Sequence, residues 1–233
     1  LEFDQAGKLL RHWGPGPNDP WNDNEHGIHV DHRNNVWLPG GGGADSQILK
    51  YTADGKFVMQ VGKKGARRRP GVEKPINDPN SLDMESFGQP TKVVVDPATN
   101  EAFVADGYVN HRVVVLDADT GKFKRVWGAY GNKPDDTPVV GPLNPHRGSP
   151  TAGQPADRGA AHNPDGPPQQ QFRNPVHCAD LSNDGFVYVC DRTSNRIQVF
   201  RIDGTFVKEV YTQRDSRGDG STWDTAFSRD PAQ

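Results

Sequence analysis

The sequence predicts an all-β protein, a β-propeller of four-stranded antiparallel blades, on three observations. A hairpin pattern with a glycine turn recurs four times, a second hairpin pattern stands before three of those copies, and no stretch of useful length carries the 3.6-residue period of a helix.

The recurrent hairpin reads FDQAGKLLRHWG (3 to 14), YTADGKFVMQVG (51 to 62), LDADTGKFKRVWG (116 to 128) and FRIDGTFVKEVY (200 to 211). Its turn is Asp-Gly or a close variant, and Gly7, Gly55, Gly121 and Gly204 supply the positive φ that such turns need. The second hairpin reads GIHVDHRNNVWLPG (27 to 40), PTKVVVDPATNEAFVADG (90 to 107) and PVHCADLSNDGFVYVCDR (175 to 192), each alternating apolar residues about a polar turn. Two hairpins in series make a four-stranded meander over 27 to 62, 90 to 128 and 175 to 211, with the Asp31, Asp96 and Leu181 hairpins innermost. One meander cannot cover both of its faces, whereas radial stacking buries each sheet against the next. Residues 1 to 14 read as the outer half of a further blade and TAFSRDPAQ as the inner strand of another. The expectation is therefore a single domain over 1 to 233, about four blades of a propeller incomplete at both ends. Two inserts rich in Gly, Pro and polar residues interrupt the spacing, 63 to 86 and 129 to 171. The second holds nine prolines and is expected to lie on the surface with little regular structure.

Composition narrows the function. Net charge is −3, with 27 basic and 30 acidic residues interspersed, so no field favours nucleic acid or anionic lipid. The one basic cluster, Arg67 to Arg69, has no interleaved aromatics and reads as a solvated loop. No run approaches the roughly 20 apolar residues that a membrane-spanning helix needs. No Gly-rich phosphate loop, metalloprotease helix or Gly-x-Ser-x-Gly elbow is present. Cys178 and Cys190 fall in one hairpin and would pair if the register set them opposite each other; in the register the turn suggests they point to opposite faces, which favours free thiols over a disulfide. Asp106 with Arg112, and Asp191 with Arg196, repeat as D-x-x-x-N-x-R or a near relative and read as blade-to-blade polar ties.

The phrases FGQPTKVVVDPATNEAFVADGYVNHRVVVLD and CDRTSNRIQVFRIDGTFVKEV resemble NHL repeats. More narrowly they resemble the lyase domain of peptide-amidating enzymes, peptidyl-α-hydroxyglycine α-amidating lyase and its bacterial relatives, over about 26 to 62, 87 to 128 and 172 to 211. The resemblance implies a six-bladed propeller when complete, zinc on its axis held by three histidines, a catalytic tyrosine, an arginine from an earlier blade and a structural calcium. His26 with Gly27 matches the first histidine. Asp106, Gly107 and Tyr108 match the Asp-Gly-Tyr element, which makes Tyr108 the catalytic candidate. The second histidine is matched by His177 one residue late, after Pro175 and Val176, so it reaches the axis only if a bulge re-aims it. The third histidine is expected beyond residue 233 and the arginine before residue 1.

Two functions follow. The resemblance implies a zinc-dependent lyase, extracellular or periplasmic, acting on a small-molecule or peptide substrate. The alternative is a non-catalytic propeller binding a peptide, glycan or protein partner on one face, with the histidines incidental. Metal binding through His26 and His177 would weaken as pH falls through the histidine range near ~6.5.

Overall fold

The computed structural model describes residues 1–71, 77–137, 163–216, 218–228 and 230. A two-stranded hairpin, β1 (Glu2–Phe3) and β2 (Leu9–Arg11), comes first. Three four-stranded antiparallel sheets follow. The first is β3 (His29–Val30), β4 (Asn35–Pro39), β5 (Gln47–Thr52) and β6 (Phe57–Gly62). The second is β7 (Pro90–Asp96), β8 (Glu101–Asp106), β9 (Arg112–Asp117) and β10 (Phe123–Trp127). The third is β11 (Val176–Leu181), β12 (Phe186–Asp191), β13 (Arg196–Arg201) and β14 (Phe206–Tyr211). In every sheet the strand order follows the chain, so each is a meander, and the expected blades are the observed ones.

The core lies between blades. Trp37, Ile48 and Val61 of the first blade meet Val93, Val104 and Leu116 of the second. Phe103, Val113 and Trp127 of the second meet Val176, Val187 and Phe200 of the third. Burial on both faces explains why β8 and β9 are apolar along most of their length, whereas the outermost strands β6 and β14 are largely open to solvent. The Asp–Arg ties expected between blades lie instead within them, each joining the end of one strand to the start of its neighbour. Arg112 Nε donates to Asp106 at 2.8 Å and Arg196 Nε to Asp191 at 2.8 Å, all four side chains being fully buried.

The structure corrects the cysteine expectation. Cys178 and Cys190 are direct cross-strand partners joined by a disulfide. The turn between β11 and β12 is a three-residue loop, with Ser182 paired to Phe186 and Gly185 at φ +81°, rather than a two-residue one. That moves the register by one, which brings the two thiols onto one face.

In the inserts, the described residues form turns, an isolated bridge between Arg68 and Asn77, and a short 3-10 turn at Ala129–Gly131, with no strand. Residues 138 to 162 of the longer insert lie outside the described residues. Within the basic cluster Arg67 pairs with Asp83 and Arg69 with Asp78.

Candidate functional site

All three innermost strands gain one residue near their start. Val176 opposes Asp191 and Cys178 opposes Cys190, so His177 is the extra residue of a β-bulge. Pro90 opposes Asp106 and Lys92 opposes Ala105, which makes Thr91 its counterpart. Glu25 bridges Gly40 while His29 opposes Trp37, so four steps on one strand face three on the other and His26 stands in the equivalent place. The bulge is what re-aims His177, and it belongs to the blade rather than to one sequence.

Convergence of these positions brings the expected residues together. The His26 and His177 rings have centroids 4.9 Å apart, and Tyr108 lies 5.2 Å from the first and 6.0 Å from the second. His26 Nδ1 donates to the Thr91 carbonyl at 2.9 Å, and His177 Nδ1 donates to the Trp223 carbonyl. A carbonyl can only accept, so each ring carries its proton on Nδ1 and turns the Nε2 lone pair inward. Both Nε2 atoms face one hydroxyl: Tyr108 Oη is 3.1 Å from that of His26 and 3.4 Å from that of His177. The hydroxyl has one proton for two acceptors.

Tyr108 is placed by its neighbours. It follows Gly107, where a Cβ would come within 2.1 Å of the Val176 carbonyl oxygen, so blades two and three approach there at backbone distance. Arg192, buried beside the pair, donates Nη1 to the Tyr108 hydroxyl at 3.4 Å and lies over the Trp223 ring at 4.2 Å.

Both imidazoles are held neutral. Burial lowers His177 from 6.5 to about 4, with the charges of Arg192 and His26 adding to it. Burial also lowers His26, again with help from Arg192. By surface area His26 is exposed, so its shift is weaker evidence than that of the half-buried His177, although both of its ring nitrogens are engaged, by the Thr91 carbonyl and the Tyr108 hydroxyl. Protons therefore compete for these rings below the ordinary histidine range, lower than the ~6.5 expected from sequence.

The donor set suits a borderline metal such as zinc: two neutral imidazoles, each oriented by a backbone carbonyl on its far nitrogen, with lone pairs directed to one side. Another compact donor group among the described residues, Cys178, Asp180 and Asp224, is unsuited. Its sulfur is in the disulfide and both carboxylates are held by the Lys92 ammonium. Sequence reasoning missed Thr91, Arg192 and Trp223. Thr91 had a signal, since it follows Pro90 at the start of an inner strand as His177 follows Val176. Arg192 had a weaker one, being next to Asp191 at the end of β12, as Gly107 and Tyr108 follow Asp106.

Residues 87–116 match the NHL repeat model. Peptidyl-glycine alpha-amidating monooxygenase B of Xenopus laevis is 29% identical over 193 residues, covering 82% of this chain and 17% of that protein. Peptidylglycine alpha-amidating monooxygenase of Rattus norvegicus is 28% identical over 189 residues, covering 79% and 14%. The chain thus matches about a sixth of the length of these relatives. A solved structure of a protein of unknown function from Bacteroides caccae aligns over 80% of this chain and 48% of its own, at 11% identity and a TM-score of 0.43.

Proposed function

We propose that this propeller is a metal-assisted lyase that cleaves N-acyl-α-hydroxyglycines into an amide and glyoxylate. The observation that carries the reading is the constellation itself: two neutral histidines from equivalent bulges of different blades present Nε2 to one tyrosine hydroxyl, with a buried arginine beside it. The similarity to amidating enzymes supports it.

In this reading His26 and His177 hold zinc, with a third ligand from a further blade; no residue is assigned to calcium. Zinc would supply Lewis-acid polarisation of the substrate hydroxyl. Arg192 pairs with the substrate carboxylate through its planar fork. Tyr108 takes the hydroxyl proton as the C–O bond becomes C=O and the C–N bond breaks, and the departing amide nitrogen takes up a proton. The disulfide accords with an extracellular or periplasmic setting, which forms part of the proposal.

The test is glyoxylate release from an N-acyl-α-hydroxyglycine by the zinc-loaded full-length protein. Tyr108→Phe should lower kcat by about 10²-fold or more while the fold is kept. No release by the wild type, with substrate or product amide still bound, would replace this reading with that of a non-catalytic peptide-binding propeller.

A further inference from the structure

Trp223 is an unusual neighbour for such a site. It is 48% exposed, a large apolar surface left in water, although residues on both sides of it are engaged. Its ring is fixed nonetheless. The indole N–H donates to the Gly220 carbonyl at 3.0 Å, one side lies against the Arg192 guanidinium at 4.2 Å, and the ring meets His177 edge-on with centroids 5.5 Å apart. The segment beneath it is seated as firmly. Thr222, buried, donates to the Asp191 carbonyl at 3.1 Å, and a Cβ on Gly220 would strike the Arg192 carbonyl oxygen at 1.9 Å. Asp224, on the other side, is held by Lys92 at 2.6 Å.

A rigid aromatic with an open face costs little conformational entropy when it takes a ligand group, and it favours flat or bulky apolar ones. The other side chains around the pair are polar: His26, His177, Tyr108 and Arg192. With the carboxylate on Arg192 and the hydroxyl towards Tyr108, the part of the substrate still without a partner is the acyl group on the amide nitrogen.

We propose that Trp223 is the specificity-determining residue of this site: its open indole surface receives the side chain of the residue preceding the hydroxyglycine and selects aromatic or large apolar groups there. The inference rests on the lyase reading. It names the substrate class, peptides or acyl groups ending in an aromatic or bulky apolar unit before the hydroxyglycine.

The experiment compares N-acetyl-Phe-α-hydroxyglycine with N-acetyl-Ala-α-hydroxyglycine on the zinc-loaded full-length protein. Wild type should favour the Phe substrate by roughly tenfold in kcat/KM, chiefly through KM, which is the order of one aromatic contact plus its buried area. Trp223→Ala should bring the ratio close to one and Trp223→Phe should restore most of it. The ratio is the readout, because a displaced Trp223 carbonyl would disturb His177 and slow both substrates together. An unchanged ratio in Trp223→Ala overturns the proposal. Failure of wild type to release glyoxylate from either substrate overturns the lyase reading instead. The platform is then judged by binding of the amides N-acetyl-Phe-NH2 and N-acetyl-Ala-NH2, where equal affinities in wild type and Trp223→Ala count against it.

Discussion

Lowering the pH should destabilise this protein through His177 in a window set by its surroundings. In the unfolded chain the imidazole titrates near 6.5, whereas in the fold burial, helped by the neighbouring Arg192 charge, lowers it to about 4. Between those values the unfolded state binds the proton and the folded state does not, so stability present above the unfolded value is lost as pH falls towards the folded one. The full difference of about 2.5 pH units corresponds to about 3.4 kcal/mol. Part of the ring reaches solvent, and screening lowers the expected loss between pH 7 and pH 5 to about 1–2 kcal/mol. His177→Gln removes the titration and keeps a donor for the Trp223 carbonyl. Urea unfolding of both proteins at pH 7, 6 and 5, in chelator so that metal does not contribute, should show the wild type losing that much more than the variant. Parallel losses, or a wild type that gains on the variant as pH falls, would refute the claim that His177 is held neutral by the fold.

Three further outcomes follow from the packing. Arg112→Ala strands the buried Asp106 carboxylate and frees the Ser81 and Ser86 carbonyls that Arg112 also serves, so urea unfolding should show a loss of about 3–5 kcal/mol; near-neutrality would show the pair to be dispensable. Replacing Cys178 and Cys190 by Ala opens a loop with sequence separation 12, which should cost about 3 kcal/mol relative to the oxidised wild type and nothing relative to the reduced one. Gly107→Ala would set a methyl against the Val176 backbone at 2.1 Å, so it should lower the Tm and shift Tyr108; a Tm equal to wild type would mean that the blades do not meet as described.

The blades were legible in the sequence because each carries its own turn chemistry: Gly55, Gly121 and Gly204 all have positive φ, as the hairpin pattern demands. His26 and Tyr108 were legible through motif and position. His177 and the cysteines were harder for a shared reason, since both depend on strand register to a single residue. The turn at Gly185 is one residue longer than its sequence suggests and the bulge at His177 adds another, and each such slip reverses the face of a side chain. Arg192 was only faintly legible, from its place beside Asp191, and Trp223 not at all. Their roles come from contacts between segments separated by 84 and 46 residues, and no local pattern records such contacts.

The claim that two blades deliver one ligand pair is tested most directly by zinc titration calorimetry on the metal-free full-length protein. Wild type should bind one zinc ion per site. His26→Ala and His177→Ala should each abolish most of the affinity, and the double variant should be no weaker than either single one, because half a pair holds the ion little better than none. Wild-type affinity and stoichiometry in the double variant would contradict the account.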